Sequence, residues 1–207
     1  DYRDSIGGYD GTAQGNANLA GPEAPPRPQI VPIDEHFSTL PGTRLGQAAA
    51  YVPNRNRALL VGGMYYSSLY ALDAGSGEIE SLGMMPAPRA YAAATYVPSR
   101  DTVYVFGGES ARGSEYDSIL ALDPDDGSAR TLTATLPAAL ANVAAAYDAD
   151  RNKVYLIGGG QYIGGHYVPT STISIFDPET ETISEADVSL PDPRRSAAAA
   201  YSRATGV

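Results

Sequence analysis

Apolar positions along the chain fall into short runs separated by glycine, proline and aspartate breaks, and the runs return in a fixed order. ALLVGG, TVYVFGG and KVYLIGG (residues 58–63, 102–108 and 153–159) are rich in β-branched and aromatic residues and stop at a glycine doublet, the pattern of a strand. SSLYALD, DSILALD and STISIFD follow, each closed by a turn-forming cluster, AGSG, PDDGS or PETE. A weaker strand is expected near Glu78–Leu82, Ala129–Thr133 and Thr182–Glu185. Ahead of each set stands an alanine run (Ala48–Ala50, Ala92–Ala94, Ala144–Ala146, Ala197–Ala200) that ends in Tyr51, Tyr96, Tyr147 or Tyr201. Alanine favours helix, but these runs are about one helical turn long and end just before a turn signal, so a strand is the better reading. Each unit therefore predicts four antiparallel strands.

The spacings define a repeat. Tyrosine to first glycine is 11 residues in every copy (51 to 62, 96 to 107, 147 to 158). The second glycine to the aspartate that ends the next strand varies, at 10, 15 and 18 residues (63 to 73, 108 to 123, 159 to 177). From aspartate to the next tyrosine it is 23, 24 and 24. All the length variation sits in one connection per unit, as expected of a fixed scaffold that carries one adjustable loop. The units run over about 46–82, 90–135 and 141–188, and the next begins near residue 196. Small side chains on the first strand suit the crowded inner edge of sheets that converge on a shared axis.

The order Arg89, AAATY, a turn, VYVFGG, a loop, a strand ending in Asp-Pro, a turn, a strand, then LP-x-PR resembles the kelch repeat. The resemblance covers about Ile30–Val207 and implies an all-β fold, a kelch-like β-propeller segment of three full four-stranded blades with parts of flanking blades. Two positions depart from it. The tryptophan such repeats carry after the aspartate turn is replaced by Ile79, Ala129 and Ile183, and the arginine of Arg44, Arg89 and Arg194 becomes Leu140 in the third copy. Propellers close with about 4 to 8 blades. The expectation is therefore a piece of a longer polypeptide, or a ring completed by further copies or by the rest of its own chain, since open sheet edges invite aggregation.

Residues 1–29 are rich in Gly, Ala, Asn and Pro and end in GPEAPPRPQ, a linker-like composition. Within them SIGGYDG (Ser5–Gly11) has the look of a glycine-ended strand, and Ile30–Leu40 of the tail of a preceding blade. A net charge of −10, with only one lysine, Lys153, among 14 basic side chains, argues against nucleic acid as a partner. The longest apolar runs are too short to span a membrane. With no cysteine there is no disulfide, thiolate nucleophile or Cys-bound zinc, and a kelch-type copper oxidase would need a cysteine crosslinked to tyrosine.

Antiparallel order places the variable loops Met64–Ser68, Glu109–Asp117 and Gly160–Thr170 on the same side as the links MPAPR, LPAAL and LPDPRR. That side holds the candidate ligand-binding residues Tyr65, Tyr66, Tyr116, Tyr162, His166 and Tyr167, in a Tyr, Ser and Gly mixture of the kind recognition loops use. Tyrosine faces also stack on sugar rings. Arg44, Arg89 and Arg194, each seven residues before an inner-strand tyrosine, either ring the mouth of the axis or pair with nearby carboxylates and carbonyls. YDADRNK (147–153) spaces Asp148, Asp150 and Asn152 like the start of a calcium loop, yet lacks its glycine and its closing glutamate, so a turn is preferred and no metal is expected. His36 and His166 are the only histidines, and no catalytic motif accompanies them. The sequence thus points to a non-enzymatic module, extracellular or on a cell surface, that recognises protein or glycan without a cofactor. The alternatives are a structural subunit of an extracellular assembly, and a carbohydrate-active propeller enzyme whose catalytic residues lie partly outside this chain.

Overall fold

The tyrosine-to-glycine interval of 11 residues is a hairpin of fixed size. In the computed structural model, which describes residues 38–202, β1 (Ala48–Val52) meets β2 (Arg57–Val61) across a 3-10 turn at Pro53–Arg55 that ends on Asn56 in the left-handed region, φ 49°. Asp101 and Asn152, at φ 48° and 51°, occupy the same place in the next two hairpins. Asparagine and aspartate tolerate that backbone better than other non-glycine residues.

Each unit forms one four-stranded antiparallel sheet. The first runs in the order β1, β2, β3 (Ser68–Asp73), β4 (Ile79–Met84). The second runs β5 (Ala93–Val97), β6 (Thr102–Phe106), β7 (Ser118–Leu122), β8 (Ala129–Thr135). The third is built from β9 (Ala144–Asp148) and β10 (Lys153–Ile157), interrupted by a hairpin of β11 (Gly160–Ile163) and β12 (His166–Pro169), and completed by β13 (Ile173–Asp177) and β14 (Thr182–Glu185). No α-helix occurs among the described residues, and no helix is long and apolar enough to cross a membrane.

Two sequence expectations need correction. The Gly160–Thr170 connection is not a simple loop but contains β11 and β12. Ala197–Ala200 forms no strand, because a strand needs a ladder partner and the described residues supply no second strand for it. SIGGYDG, the linker-like segment 1–29 and His36 lie outside the described residues.

The alanine strands β1, β5 and β9 each form one edge of their sheet, and β5 packs between β1 and β9. Methyl side chains let these edges approach closely; Ala48, Ala50, Ala93 and Ala144 are buried. The described sheets stack face to face. Leu59, Val61 and Leu69 of the first sheet join Val103, Val105, Leu120 and Leu122 of the second in one core. Tyr104, Phe106 and Ile119 of the second join Val154, Leu156 and Phe176 of the third in another. The rings of Tyr104 and Phe106 lie 4.9 and 5.3 Å from that of Phe176, in the tilted and edge-on geometries aromatic pairs favour. The middle sheet is therefore covered on both faces. This explains why β6 and β7 are buried at every position after their first residue, whereas β1 alternates buried and exposed positions.

Charge holds the turn ends together. Arg55 donates from Nη1 and Nη2 to both Asp101 oxygens at 2.7 and 2.8 Å, and from Nε and Nη2 to both Asp125 oxygens at 2.6 and 2.7 Å. It thereby ties the first hairpin to two turns of the second sheet. The Arg55 guanidinium, with help from the Tyr96 hydroxyl, holds the Asp101 carboxyl far below the usual carboxylate range. A depressed folded-state pKa stabilises above the unfolded value and is lost as pH falls through the folded one. Thermal stability should therefore decline as pH drops below about 4. At pH 7 Arg55→Ala should lower Tm by about 2 to 4 °C, the effect of about 1 kcal/mol in a chain of this size. It should also flatten part of the acid decline. An acid limb unchanged in the variant would remove this network from the account.

Candidate ligand-binding face

The glycine doublets mark where one sheet is joined to the next. Gly63 N donates to Arg89 O at 2.9 Å, Gly108 N to Leu140 O at 2.8 Å and Gly159 N to Arg194 O at 2.8 Å. The first glycine of each doublet lies so close to the same link residue that a Cβ would stand 2.2 to 2.4 Å from its carbonyl oxygen. Together with positive φ at Gly62, Gly107 and Gly158, this close approach excludes any larger residue. A second set of bonds joins the entries to the inner strands. Tyr91 N donates to Gly46 O, Asn142 N to Tyr91 O and Ser196 N to Asn142 O, at 2.7, 2.8 and 3.0 Å.

The link residues also receive the variable loops. Arg89 N donates to Tyr66 O, Leu140 N to Tyr116 O and Arg194 N to Thr170 O, so loops and links share one end of the sheets. In the first two sheets this junction is clamped by a guanidinium. Arg89 is buried; its Nη1 donates to Gly107 O at 2.5 Å and Ser118 O at 3.1 Å, and its Nη2 to Ser118 Oγ at 2.7 Å. Its charge sits 4.3 Å from the centre of the Tyr116 ring. Arg44 repeats the arrangement, donating to Gly62 O and Ser68 Oγ at 3.0 Å each and lying 4.1 Å from the Tyr66 ring centre. Burial pushes Arg89 down to about 10, which leaves it charged at neutral pH. Of the two roles the sequence leaves open for these arginines, pairing with carbonyls describes Arg44 and Arg89. Arg194 is exposed and lies 3.3 Å from Asp192.

The tyrosines divide accordingly. Tyr66 and Tyr116 are half-buried under their arginines. Tyr65 is 68 % exposed, at φ 68°, on its own loop. Tyr162, His166 and Tyr167 come together on the β11–β12 hairpin, where Tyr162 is paired across strands with Tyr167 and Ile163 with His166. The two tyrosine rings meet edge-on at 5.1 Å. The hairpin leans on the loop of the second sheet: Tyr167 Oη donates to Glu109 Oε2 at 2.6 Å, and Tyr162 N donates to Glu115 Oε1 at 2.7 Å. Its bond to the buried Glu109 and its own burial raise the Tyr167 phenol to about 12. Arg195, which the sequence did not single out, stacks 4.7 Å from the Tyr167 ring centre. Tyr162, Ile163 and Val168 remain exposed, giving an aromatic and aliphatic surface on a hairpin pinned at both strands.

The leading carboxylate of the 147–153 turn is engaged within that turn. Asp148 accepts from the amides of Asp150 and Arg151 and pairs with Arg151, closing a turn. Among the described residues no group of three or more His, Cys, Asp or Glu side chains is placed to hold a metal. A cavity of about 380 Å³ lies at the opposite end of the second sheet, between Thr102, Asp123, Ser128, Ala129 and Arg130.

No family of known proteins matches the sequence, and no curated protein does. Among solved structures, the one titled "Structure of YjhT" superposes with a TM-score of 0.61 at 18 % identity, over 72 % of this chain and 53 % of that one. The chain thus spans about half the length of that protein, and the likeness concerns the fold alone.

The clamp is testable by copying the third repeat into the second. Arg89→Leu removes charge-assisted hydrogen bonds to buried carbonyls and should cost about 2 to 3 kcal/mol in urea unfolding. Arg89→Lys, without the planar fork, should recover only part. A loss below about 0.5 kcal/mol for the leucine variant, within the range of an inert surface change, would contradict the role given to Arg89.

Proposed function

We propose that this chain is part of a kelch-type β-propeller and serves as a non-enzymatic recognition module of a secreted or surface-exposed protein, capturing a protein or glycan ligand on its loop face. Three observations support the propeller. The sheets share one strand order, the alanine edges adjoin one another, and the entry residues Gly46, Tyr91, Asn142 and Ser196 are bonded head to tail. The outer faces of the first and third sheets also carry half-buried Leu60, Tyr70, Ile173 and Ile175, apolar surface suited to cover by further sheets. On this reading such sheets come from the rest of the polypeptide or from another chain.

The Tyr162 and Tyr167 pair, exposed at Tyr162 and half-buried at Tyr167, carries the recognition reading. Two rings held edge-on, on a hairpin anchored to Glu109 and Glu115, offer contact area with little side-chain entropy left to lose. Stacking against a sugar ring or an apolar side chain uses the same surface. The proposal assigns no general acid, base or nucleophile, since the carboxylates nearest the hairpin are engaged in holding it.

Arrays of immobilised glycans and of surface proteins test this directly. Tyr162→Ala should reduce capture at least about tenfold, the loss expected for a central aromatic contact. Tyr167→Phe, which keeps the ring but cuts the tether to Glu109, should give a smaller loss. Capture unchanged in Tyr162→Ala would end the case for this face, whichever array supplied the ligand.

A further inference from the structure

The third repeat lacks both halves of the clamp. Backbone bonds align Leu140 with Arg89 and Thr170 with Tyr66 and Tyr116, since each link amide donates to the carbonyl of that loop residue. They also align Thr172 with Ser118 and Ser68, as each accepts from the first glycine of its doublet. Where the first two repeats place a guanidinium over a tyrosine ring, the third has a leucine and a threonine. A cavity of about 130 Å³ lies there, walled by Leu140, Thr170, Thr172 and Ser174, with Gln161 and the exposed Glu185 among its lining.

The acceptors of the clamp are still in place. Gly62 O and Gly107 O each take a guanidinium N–H from Arg44 or Arg89. Gly158 is equally buried, and among the described residues no donor reaches its carbonyl oxygen. A buried carbonyl without a partner is uncommon and costs stability. Thr172 Oγ1 lies 2.9 Å from Thr170 Oγ1 and retains further acceptor capacity.

We propose that this cavity binds an alkylguanidinium group supplied from outside the chain, such as an arginine side chain on a flexible peptide or a free alkylguanidine. The first two repeats show which group this cradle takes, because their own arginines fill it. Planar N–H donors match the carbonyl and hydroxyl of Thr172 in the lining and, by correspondence with Gly62 and Gly107 in the filled cradles, the carbonyl of Gly158 beside it. The aliphatic stem matches Leu140 and Ala138. Glu185 adds an opposite charge at the lining, and the overall charge of −10 favours a cation. The inference does not rest on the tyrosine hairpin: Tyr162→Ala should leave this binding intact.

Titration of the chain with n-butylguanidinium, followed by amide NMR, provides the test. Shifts confined to Gly158, Gly159, Leu140 and Thr172 are expected, with a Kd on the order of 1 mM for a ligand of that size. n-Butylammonium should bind more weakly and n-butanol hardly at all. Thr172→Val should weaken the complex at least about tenfold, as for one lost hydrogen bond to a charged group. Leu140→Arg combined with Thr170→Tyr should abolish it by refilling the cavity from within. A blocked Gly-Arg-Gly peptide that binds more tightly than n-butylguanidinium would identify a peptide source; equal or weaker binding would identify a small free guanidine. Absence of shifts at roughly tenfold higher concentration would overturn the proposal, as would equal binding of n-butanol. So would undiminished binding in the folded double variant. If that variant does not fold, unchanged affinity in Thr172→Val is decisive against it.

Discussion

One short backbone hydrogen bond recurs wherever two of these sheets meet: the amide of the second glycine in a doublet donates to the carbonyl of the residue that leads into the next inner strand. It exists at Gly63, Gly108 and Gly159, and the glycine before each is demanded by the same approach, since a Cβ there would stand 2.2 to 2.4 Å from that carbonyl oxygen. The rest follows from that approach. It fixes the angle at which the link leaves the sheet and brings the variable loop alongside that link. Beside it lie the carbonyls that an arginine fills in two repeats out of three.

The two ends of the sheets are held by different physics. At the loop end the contacts are backbone bonds and buried guanidinium groups, strong because they are dry and costly to leave unmade. At the turn end they are exposed or half-exposed ion pairs, Arg55 with Asp101 and Asp125, Arg130 with Glu181, Lys153 with Asp177, each of modest worth and sensitive to salt and acid. A surface intended to vary sits better on the first. The scaffold beneath the loops does not depend on their side chains, apart from Tyr66 and Tyr116, which lie beneath the clamps.

Most of the strand order was legible in the sequence because the repeat made each copy a check on the others. The constant 11-residue hairpin, the glycine stops and the aspartate turns each carry a local physical cause. What escaped was where two causes combined. QYIGGHYV contains alternating residues around Gly-Gly, a hairpin signal in its own right, but it lay inside the segment that the repeat marks as variable. The arginines could not be resolved between axis and clamp from spacing alone, since their acceptors are backbone carbonyls that carry no residue signature. The replacement of Arg by Leu140 was visible as a departure. Its partner change, tyrosine to Thr170, was hidden by the inserted hairpin, which shifts Thr170 out of simple register with Tyr66 and Tyr116.

Hydrogen exchange at the glycine doublets tests the central claim most directly. The amides of Gly63, Gly108 and Gly159 lie outside every strand, yet the account predicts that they exchange as slowly as those of β6 and β7 in the middle sheet, because each is bonded to a buried link between sheets. Exchange as fast as in the loop at residues 109–117 would mean that the sheets are not joined there, and would contradict the account at its base.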